Sequence, residues 1–496
     1  MKVPELLEIL AGLKIWLSLK EGKLTYAAPV GALSDEIKNL IREHKQPLIH
    51  FLEESSMKSA IAEPLLAGKS GSGRIPLSSA QRRIWFLHRL NPLDASYNSV
   101  FRFNVEGKID FKRLQESLDK IVGSHESLRM VFGEEAGVAY QSAEGPMRSL
   151  IERVDLSVLS PEDAGRVVSD AAKSEGAILF RLDAGPLLRA KLLSMDEERH
   201  VFLVTLHHIV SDAHSANLIF KQLSELYRGG QEPVRSQIQY SDFARWQQAW
   251  LAGPSVEPYF AYWRRQLSNL PPPIDLAADF QRPPTQPLRG GCVFTEFSSD
   301  LMEGVSGLAN GESCTLFMIM FGGFAAFLHL VSGAKDLVIG TSVSGRERQE
   351  LESLIGVFIN NLPIRIKAGA GMSFRDFLRE VKLVLLQAYE YQELPFEAMV
   401  EKLNPERSLN RPPFFSVLFD MWEGREASGQ PSLKDFPFRE VPCHNGTSKL
   451  DLSLTVERFR SPNFTGEWEY STELFTLASV ERMSRQYVSL LDSLVR

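Results

Sequence analysis

Hydrophobic and polar positions follow two rhythms along the chain, one of period near 3.6 and one of period 2, and their order divides it. In Pro4-Glu5-Leu6-Leu7-Glu8-Ile9-Leu10 a Pro and a Glu open a run of leucines at helical spacing, and Gly12 closes it. Ile15-Trp16-Leu17-Ser18-Leu19 and Leu24-Thr25-Tyr26 flank Glu21-Gly22 and predict a hairpin. Ser34-Asp35-Glu36-Ile37 predicts a helix start, with Ser34 as cap and acids at the positive end of the dipole, running to His44. Pro47 opens a further short helix through Glu54. Residues 1–56 therefore predict a small αββαα unit. Ser, Ala and Gly dominate residues 57–74, which read as a flexible linker. Gly68-Lys69-Ser70 within it is no phosphate loop. No strand precedes it, and Glu63 stands where the upstream glycine belongs.

From Ile75 the chain is dense and mixed. Strands are predicted at Val100–Val105, around Leu192-Leu193 and at Val201–Leu206, alternating with helices at Phe111–Ser124, Pro161–Glu175 and His214–Arg228. A proline-rich break from Leu270 to Pro287 reads as an extended crossover between two halves. The second half repeats the mixed pattern, with helices at Asp300–Ala309, Thr315–Val331, Ser373–Tyr389 and Ser479–Val495. Its strands fall at Leu337–Ile339, Leu362–Ile366, Ser416–Asp420, Asp451–Glu457 and Phe464–Tyr470. The divisions are 1–56, a linker over 57–74, a first lobe over 75–250, a crossover over 251–290 and a second lobe over 291–496.

Composition narrows the class. The 496 residues are 44% hydrophobic and 24% charged, as in a soluble globular protein, and the net charge is -7. A mildly acidic chain argues against a dedicated nucleic-acid binder. Cys292, Cys314 and Cys443 are few, odd in number and widely spaced, so neither a disulfide framework nor a metal site is expected, and a reducing, cytoplasmic setting fits. The N-terminus lacks the apolar run of a signal peptide. The longest apolar-rich stretch, Leu316 to Val331, is too short to span a membrane and reads as a core helix.

The segment that carries chemistry is Val204-Thr205-Leu206-His207-His208-Ile209-Val210-Ser211-Asp212-Ala213. Two adjacent histidines close an apolar strand, and Asp212 follows before a helix, a common place to present catalytic side chains. This segment resembles the HHxxxDG signature of condensation domains of nonribosomal peptide synthetases. Other motifs of that family follow in order. Leu77–Leu87 resembles the opening motif, Ser124–Phe132 the HExLRxxF element, Tyr240–Gln247 the YxDxAxWQ element, and Ile355–Arg365 the IGxFVNTLPxR element. Ile339-Gly340-Thr341, Gln392–Glu397 and Pro412–Phe415 complete the set, so the resemblance covers residues 75–496.

The resemblance implies a mixed α/β (α+β) fold similar to chloramphenicol acetyltransferase, a two-lobed pseudo-dimer with a tunnel between the lobes. It implies amide formation. The α-amine of an aminoacyl thioester on a downstream acceptor carrier protein attacks the acyl thioester on an upstream donor carrier protein. Both substrates arrive on phosphopantetheine arms, and the chain itself binds no cofactor. His208 is the candidate to accept the amine proton or to orient the amine. His207 is expected to be structural, because adjacent strand side chains point opposite ways. Asp212 is the expected buried acid, with Arg129 as its partner by similarity to the family. Gln81, Trp85, Ser211 and Asn360 are candidates to line the tunnel or position substrate. Core packing is the alternative for Gln81 and Trp85, and a strand-start cap for Asn360. Ala213 departs from the family's glycine, and a methyl group there could crowd the tunnel or exclude a positive φ. That departure motivates one alternative, a condensation-like domain that only recruits partners; a condensation domain that also modifies a residue is a separate alternative.

Residues 1–56 resemble the N-terminal docking domain of the tubulysin-synthetase type. An exposed hairpin edge accepts a peptide by strand addition, and Lys14, Lys20 and Lys23 on or beside it favour an acidic upstream tail. A merely solvated charged surface is the alternative. The last residues, Leu490–Arg496, end in a predicted helix, where the resemblance places a following adenylation domain.

Overall fold

The computed structural model describes residues 16–20, 23–27, 40–41 and 44–45. From 73 onward it describes the chain apart from 146, 149, 232–235, 370, 404–407, 423–437 and 459–462. Compactness separates Met1–Leu65 with Trp250–Ser255 from a large unit of Leu66–Ala249 and Val256–Arg496. In the small unit the hairpin is present. Strands β1 (Trp16–Lys20) and β2 (Lys23–Ala27) pair antiparallel, with Trp16 opposite Ala27 and Lys20 opposite Lys23. Leu40 and Ile41 are helical, as the pattern from Ser34 requires. Lys14 and the helices expected at 4–10 and 47–54 lie outside the described residues.

Among its described residues the large unit is a mixed α/β fold built on three sheets. Its first half contributes β3 (Ile75–Pro76), β4 (Asn98–Glu106), β5 (Met130–Glu135), β6 (Val138–Ala143), β7 (Ile151–Asp155), β8 (Leu188–Ser194) and β9 (Arg199–His207). Its second half contributes β10 (Gly290–Phe297), β11 (Asp336–Val343), β12 (Asn360–Lys367), β13 (Val417–Trp422), β14 (Phe438–Val441), β15 (Leu452–Glu457) and β16 (Phe464–Ser471). The sheet orders are β3-β6-β5, β14-β4-β9-β8-β7 and β10-β16-β15-β13-β11-β12. One strand breaks the division between halves. β14 comes from the second half yet pairs with β4, Phe438 facing Val105.

The helices are α1 (Ser79–Leu90), α2 (Phe111–Ser124), α3 (Pro161–Ala177), α4 (Ala213–Tyr227), α5 (Tyr240–Ala252), α6 (Glu257–Gln266), α7 (Ser299–Gly311), α8 (Leu316–Ser332), α9 (Phe374–Glu390), α10 (Phe396–Leu403) and α11 (Leu477–Val495). Helix α6 occupies part of the stretch assigned to the crossover, and the extended segment begins only after Asn269.

β9 shows why this sequence folds so. It is buried from His200 to His207, and its period-2 alternation feeds two cores. Phe202, Val204 and Leu206 pack with Leu118 and Ile121 of α2 and Phe220 and Leu223 of α4. Val201 and Leu203 pack on the opposite face against Ala164, Val168 and Ala172 of α3. Each such large apolar side chain contributes about 1.5–3 kcal/mol on burial. A strand covered on both faces reads as a continuous apolar run, which is what Val201–Leu206 is. In the second half, α8 is the buried helix. Thr315 caps its start, Gly333 with φ 69° closes its end, and its Met320 carbonyl accepts a hydrogen bond from the Tyr487 hydroxyl at 2.9 Å. Among the described residues no single helix is long and apolar enough to cross a membrane.

Candidate active site

The parity of β9 decides the fate of the two histidines. His207 is its last residue and shares the α3-facing parity of Val201 and Leu203. It is buried, its Nδ1 accepts the Ile209 amide at 3.2 Å, and its ring meets Phe180 edge-on. An Nδ1 that accepts fixes the neutral tautomer. Burial, followed by the neighbouring His208, pushes its pKa down to about 3. His207 therefore braces the turn that follows it.

His208 lies just past the strand. Its amide donates to the Tyr97 carbonyl at 2.8 Å, and its ring sits edge-on to the Tyr97 ring, 6.3 Å between centroids. Its Nδ1 is buried with no hydrogen-bond partner among the described residues. Burial, then the Lys449 ammonium, pushes its pKa down to about 4. The Lys449 Nζ lies 4.6 Å from the Tyr97 ring centroid, so the cation and the histidine both pack on the Tyr97 ring. The result is a neutral imidazole able to take a proton, held by its backbone while its Nδ1 stays uncommitted.

The turn carrying His208 is locked from the second half of the chain. Asp212 is the N-cap of α4, accepting the Ser215 amide at 2.8 Å. Its partner is Arg346, not Arg129. Arg346 Nη2 lies 3.1 Å from Oδ1, both side chains are nearly inaccessible, and the Phe358 amide donates to Oδ2 at 2.9 Å. Burial alone would raise the Asp212 pKa, but Arg346 and the two amides outweigh it and hold the carboxyl below its ordinary value. Arg346 also donates to the carbonyls of Leu351 and Leu354 and to the Ser215 hydroxyl. Arg129 instead donates to the carbonyls of Val122 and Glu144, which tie α2 to the end of β6. Two glycines let the locking loop close. Gly345 takes φ +65°, and the Tyr240 ring occupies the place where a Gly356 Cβ would sit.

The other candidates fall into the frame. The Gln81 side chain, 1% exposed, forms an amide pair with Gln141, bonds the Ile209 carbonyl and completes a capping box with Ser78. It shapes the histidine turn from behind. Trp85 is buried and stacks on Phe132. The Ser211 hydroxyl is buried on the Asp212 carbonyl. Asn360 opens β12 and spends its amide on the Gln392 and Leu394 carbonyls and the Phe396 amide. It thereby clamps the start of α10. Ala213 is the first residue of α4, is exposed, and is not among the residues with positive φ. Its backbone therefore has no need of glycine. Ala213→Gly is expected to cost under about 1 kcal/mol by chemical denaturation.

Four of the sequence motifs meet at one cleft, which no residue of the histidine segment lines. A narrow cleft is lined by Ser78 of the opening motif, Trp246 and Gln247 of the tyrosine motif, Phe358 and Asn360, and Glu397. Residues 72–496 match the condensation-domain family along their whole length. The chain belongs to the condensation-domain family. Residues 3–54 match the TubC N-terminal docking domain, so a docking domain precedes the condensation domain.

The chain is 36% identical over 459 residues to a linear gramicidin synthase of Brevibacillus parabrevis, covering 91% of this chain and 6% of that protein. It is 31% identical over 456 residues to gramicidin S synthase 2 of Aneurinibacillus migulanus, covering 91% of this chain and 10% of that one. The chain thus spans a small fraction of these synthetases. In fold it resembles the X-domain from teicoplanin biosynthesis (TM-score 0.78, 22% identity, 87% and 97% of the two chains). It also resembles the first condensation domain of the calcium-dependent antibiotic synthetase (TM-score 0.72, 21% identity, 86% and 96%). The fold is that of the chloramphenicol-acetyltransferase-like condensation domains. The family's reaction is amide-bond formation by acyl transfer.

Two residues of the condensation domain carry no local mark in the sequence. Arg346 is one of two arginines in Ser344–Arg348, and Lys449 is one lysine before a strand. Their roles come from a contact across 134 residues in one case and from packing on the Tyr97 ring in the other.

Proposed function

We propose that this chain joins an acyl or peptidyl donor to an aminoacyl acceptor, both carried as phosphopantetheine thioesters, with His208 at the amine. The observation that carries this reading is the half-buried, neutral His208, whose inaccessible Nδ1 is uncommitted, on a turn locked by Asp212 and Arg346. The acceptor nitrogen attacks the donor carbonyl, the C–N bond forms, the C–S bond breaks, and the donor thiol leaves. The proton lost by the amine passes to the imidazole or is oriented by it, and ends on the departing sulfur. A free α-amine has a pKa of about 8, so desolvation that favours its neutral form aids attack. Holding amine and thioester together supplies much of the remaining acceleration. A single-turnover assay with two loaded carrier proteins tests this, with the amide product on the acceptor expected by mass spectrometry and its absence counting against it.

The donor carrier belongs to a separate upstream polypeptide whose acidic C-terminal tail binds the β1–β2 edge in trans. The acceptor carrier lies downstream, beyond an adenylation domain of the same synthetase. The hairpin, with Lys20 and Lys23 opposite each other at its turn end, supports the first part. Titrating the full chain with acidic upstream tail peptides is expected to show binding at low salt that weakens as salt rises. Lys20→Glu combined with Lys23→Glu is expected to abolish it. Binding by that double variant as tight as by the wild type would exclude a charge-guided hairpin site.

A further inference from the structure

β11 and β13 are neighbours in the six-stranded sheet, yet their ladder registers at one pair only, Gly340 with Leu418. Beyond that pair the strands part, and Asp420 sits in the gap, 8% exposed. Its Oδ1 accepts the Ser342 amide at 2.6 Å and the Thr341 hydroxyl at 3.3 Å, and its Oδ2 accepts the Ser342 hydroxyl at 2.7 Å. These bonds take the place of ladder bonds that parted strands cannot make. An uncharged acceptor would serve that purpose as well. A carboxyl is the costly choice, because burial penalises its charge.

The gap opens into a cavity of about 300 Å³ bordered by Phe317, Ser342, Ser344, Tyr389, Asp420 and Trp422. No basic side chain forms a salt bridge with Asp420 among the described residues, and Oδ2 keeps a free lone pair in this hydrogen-bond pattern. Three aromatic side chains and one buried acid form the surroundings that suit a long methylene stem ending in an ammonium. Ser344 on its border is two residues before Arg346, which locks the His208 turn.

We propose that this cavity is a subsite for the ammonium-bearing side chain of a carrier-bound aminoacyl substrate, such as a lysine or ornithine residue, with Asp420 as its counter-ion. Burial, against the opposing Ser342 bonds, raises the Asp420 pKa, and an arriving ammonium favours the ionised form. The inference rests on the condensation reading for the source of the ligand.

Calorimetric titration of the full chain with pantetheine amides tests it. Nα-acetyl-lysyl and Nα-acetyl-norleucyl forms represent the donor, and lysyl and norleucyl forms the acceptor. In one of the two arms the lysyl probe is expected to bind at least tenfold more tightly than its norleucyl partner. Asp420→Asn is expected to erase that preference and leave norleucyl binding unchanged. Ser344→Phe, which removes no hydrogen bond of Asp420, is expected to weaken lysyl binding by narrowing the mouth, and it serves if the first variant melts early. Equal or undetectable binding of lysyl and norleucyl probes in both arms overturns the proposal, as does a lysine preference that survives both substitutions. Binding requires no turnover. A lysine preference without amide product would leave the subsite standing and remove the catalytic reading, and product without the preference would do the reverse.

Discussion

His208→Ala is expected to lower single-turnover amide formation by about 10²–10⁴-fold, the range that a positioned general base supplies. Thermal stability should change little, because no hydrogen bond to its Nδ1 is lost. A variant that forms product at the wild-type rate would remove His208 from the chemistry. The imidazole should also be neutral throughout the physiological range. Its folded pKa of about 4 lies below the ordinary value of 6.5. Between those two values the unfolded chain binds a proton that the folded chain refuses, so stability falls as pH is lowered through that window. The buried His207, near 3, acts in the same direction. Ring resonances of His208 that titrate near 6.5 would contradict this environment.

Arg346→Met is expected to be the most damaging substitution for stability, at about 3–5 kcal/mol, because it leaves Asp212 buried with its charge uncompensated. The same change frees the carbonyls of Leu351 and Leu354 and loosens the turn under His208, so amide formation should fall with it. Arg129→Met removes hydrogen bonds to two carbonyls and should cost about 1–2 kcal/mol. Urea denaturation of the two variants distinguishes them. Equal losses would mean that Arg346 is not the dominant partner of Asp212. Replacing Asp212 and Arg346 together should cost less than the sum of the single changes, which a double-mutant cycle reads directly.

The histidine pair and its acid differ in how far their roles are legible in the sequence. The apolar run ending in His207-His208 marks a buried strand and a presented pair, and alternation alone assigns the two rings to different faces. That information is local, held in spacing. The Asp212 partner is not local. Arg129 stands in a motif and Arg346 does not, and only the fold brings Arg346, 134 residues away, onto the carboxylate. Asn360 reads as a strand start, but its three bonds to 392–396 depend on how the next loop returns. Ala213 stands out in the sequence as a departure that could demand a glycine backbone. The position begins a helix, where any small residue serves.

The strand β14 bears on how such proteins can be recombined. Phe438 lies in the core of the first sheet, and β14 covers β4, whose Phe101, Phe103 and Val105 would otherwise border an open edge. A cut in the proline-rich stretch therefore does not separate two self-sufficient pieces. The first piece would lose the strand that seals its edge and expose a surface prone to pairing with other chains. A chimera that exchanges everything after that stretch would install a foreign strand in the native sheet. Matching residues 438–441 to the β4 they must cover is then a condition for a working hybrid.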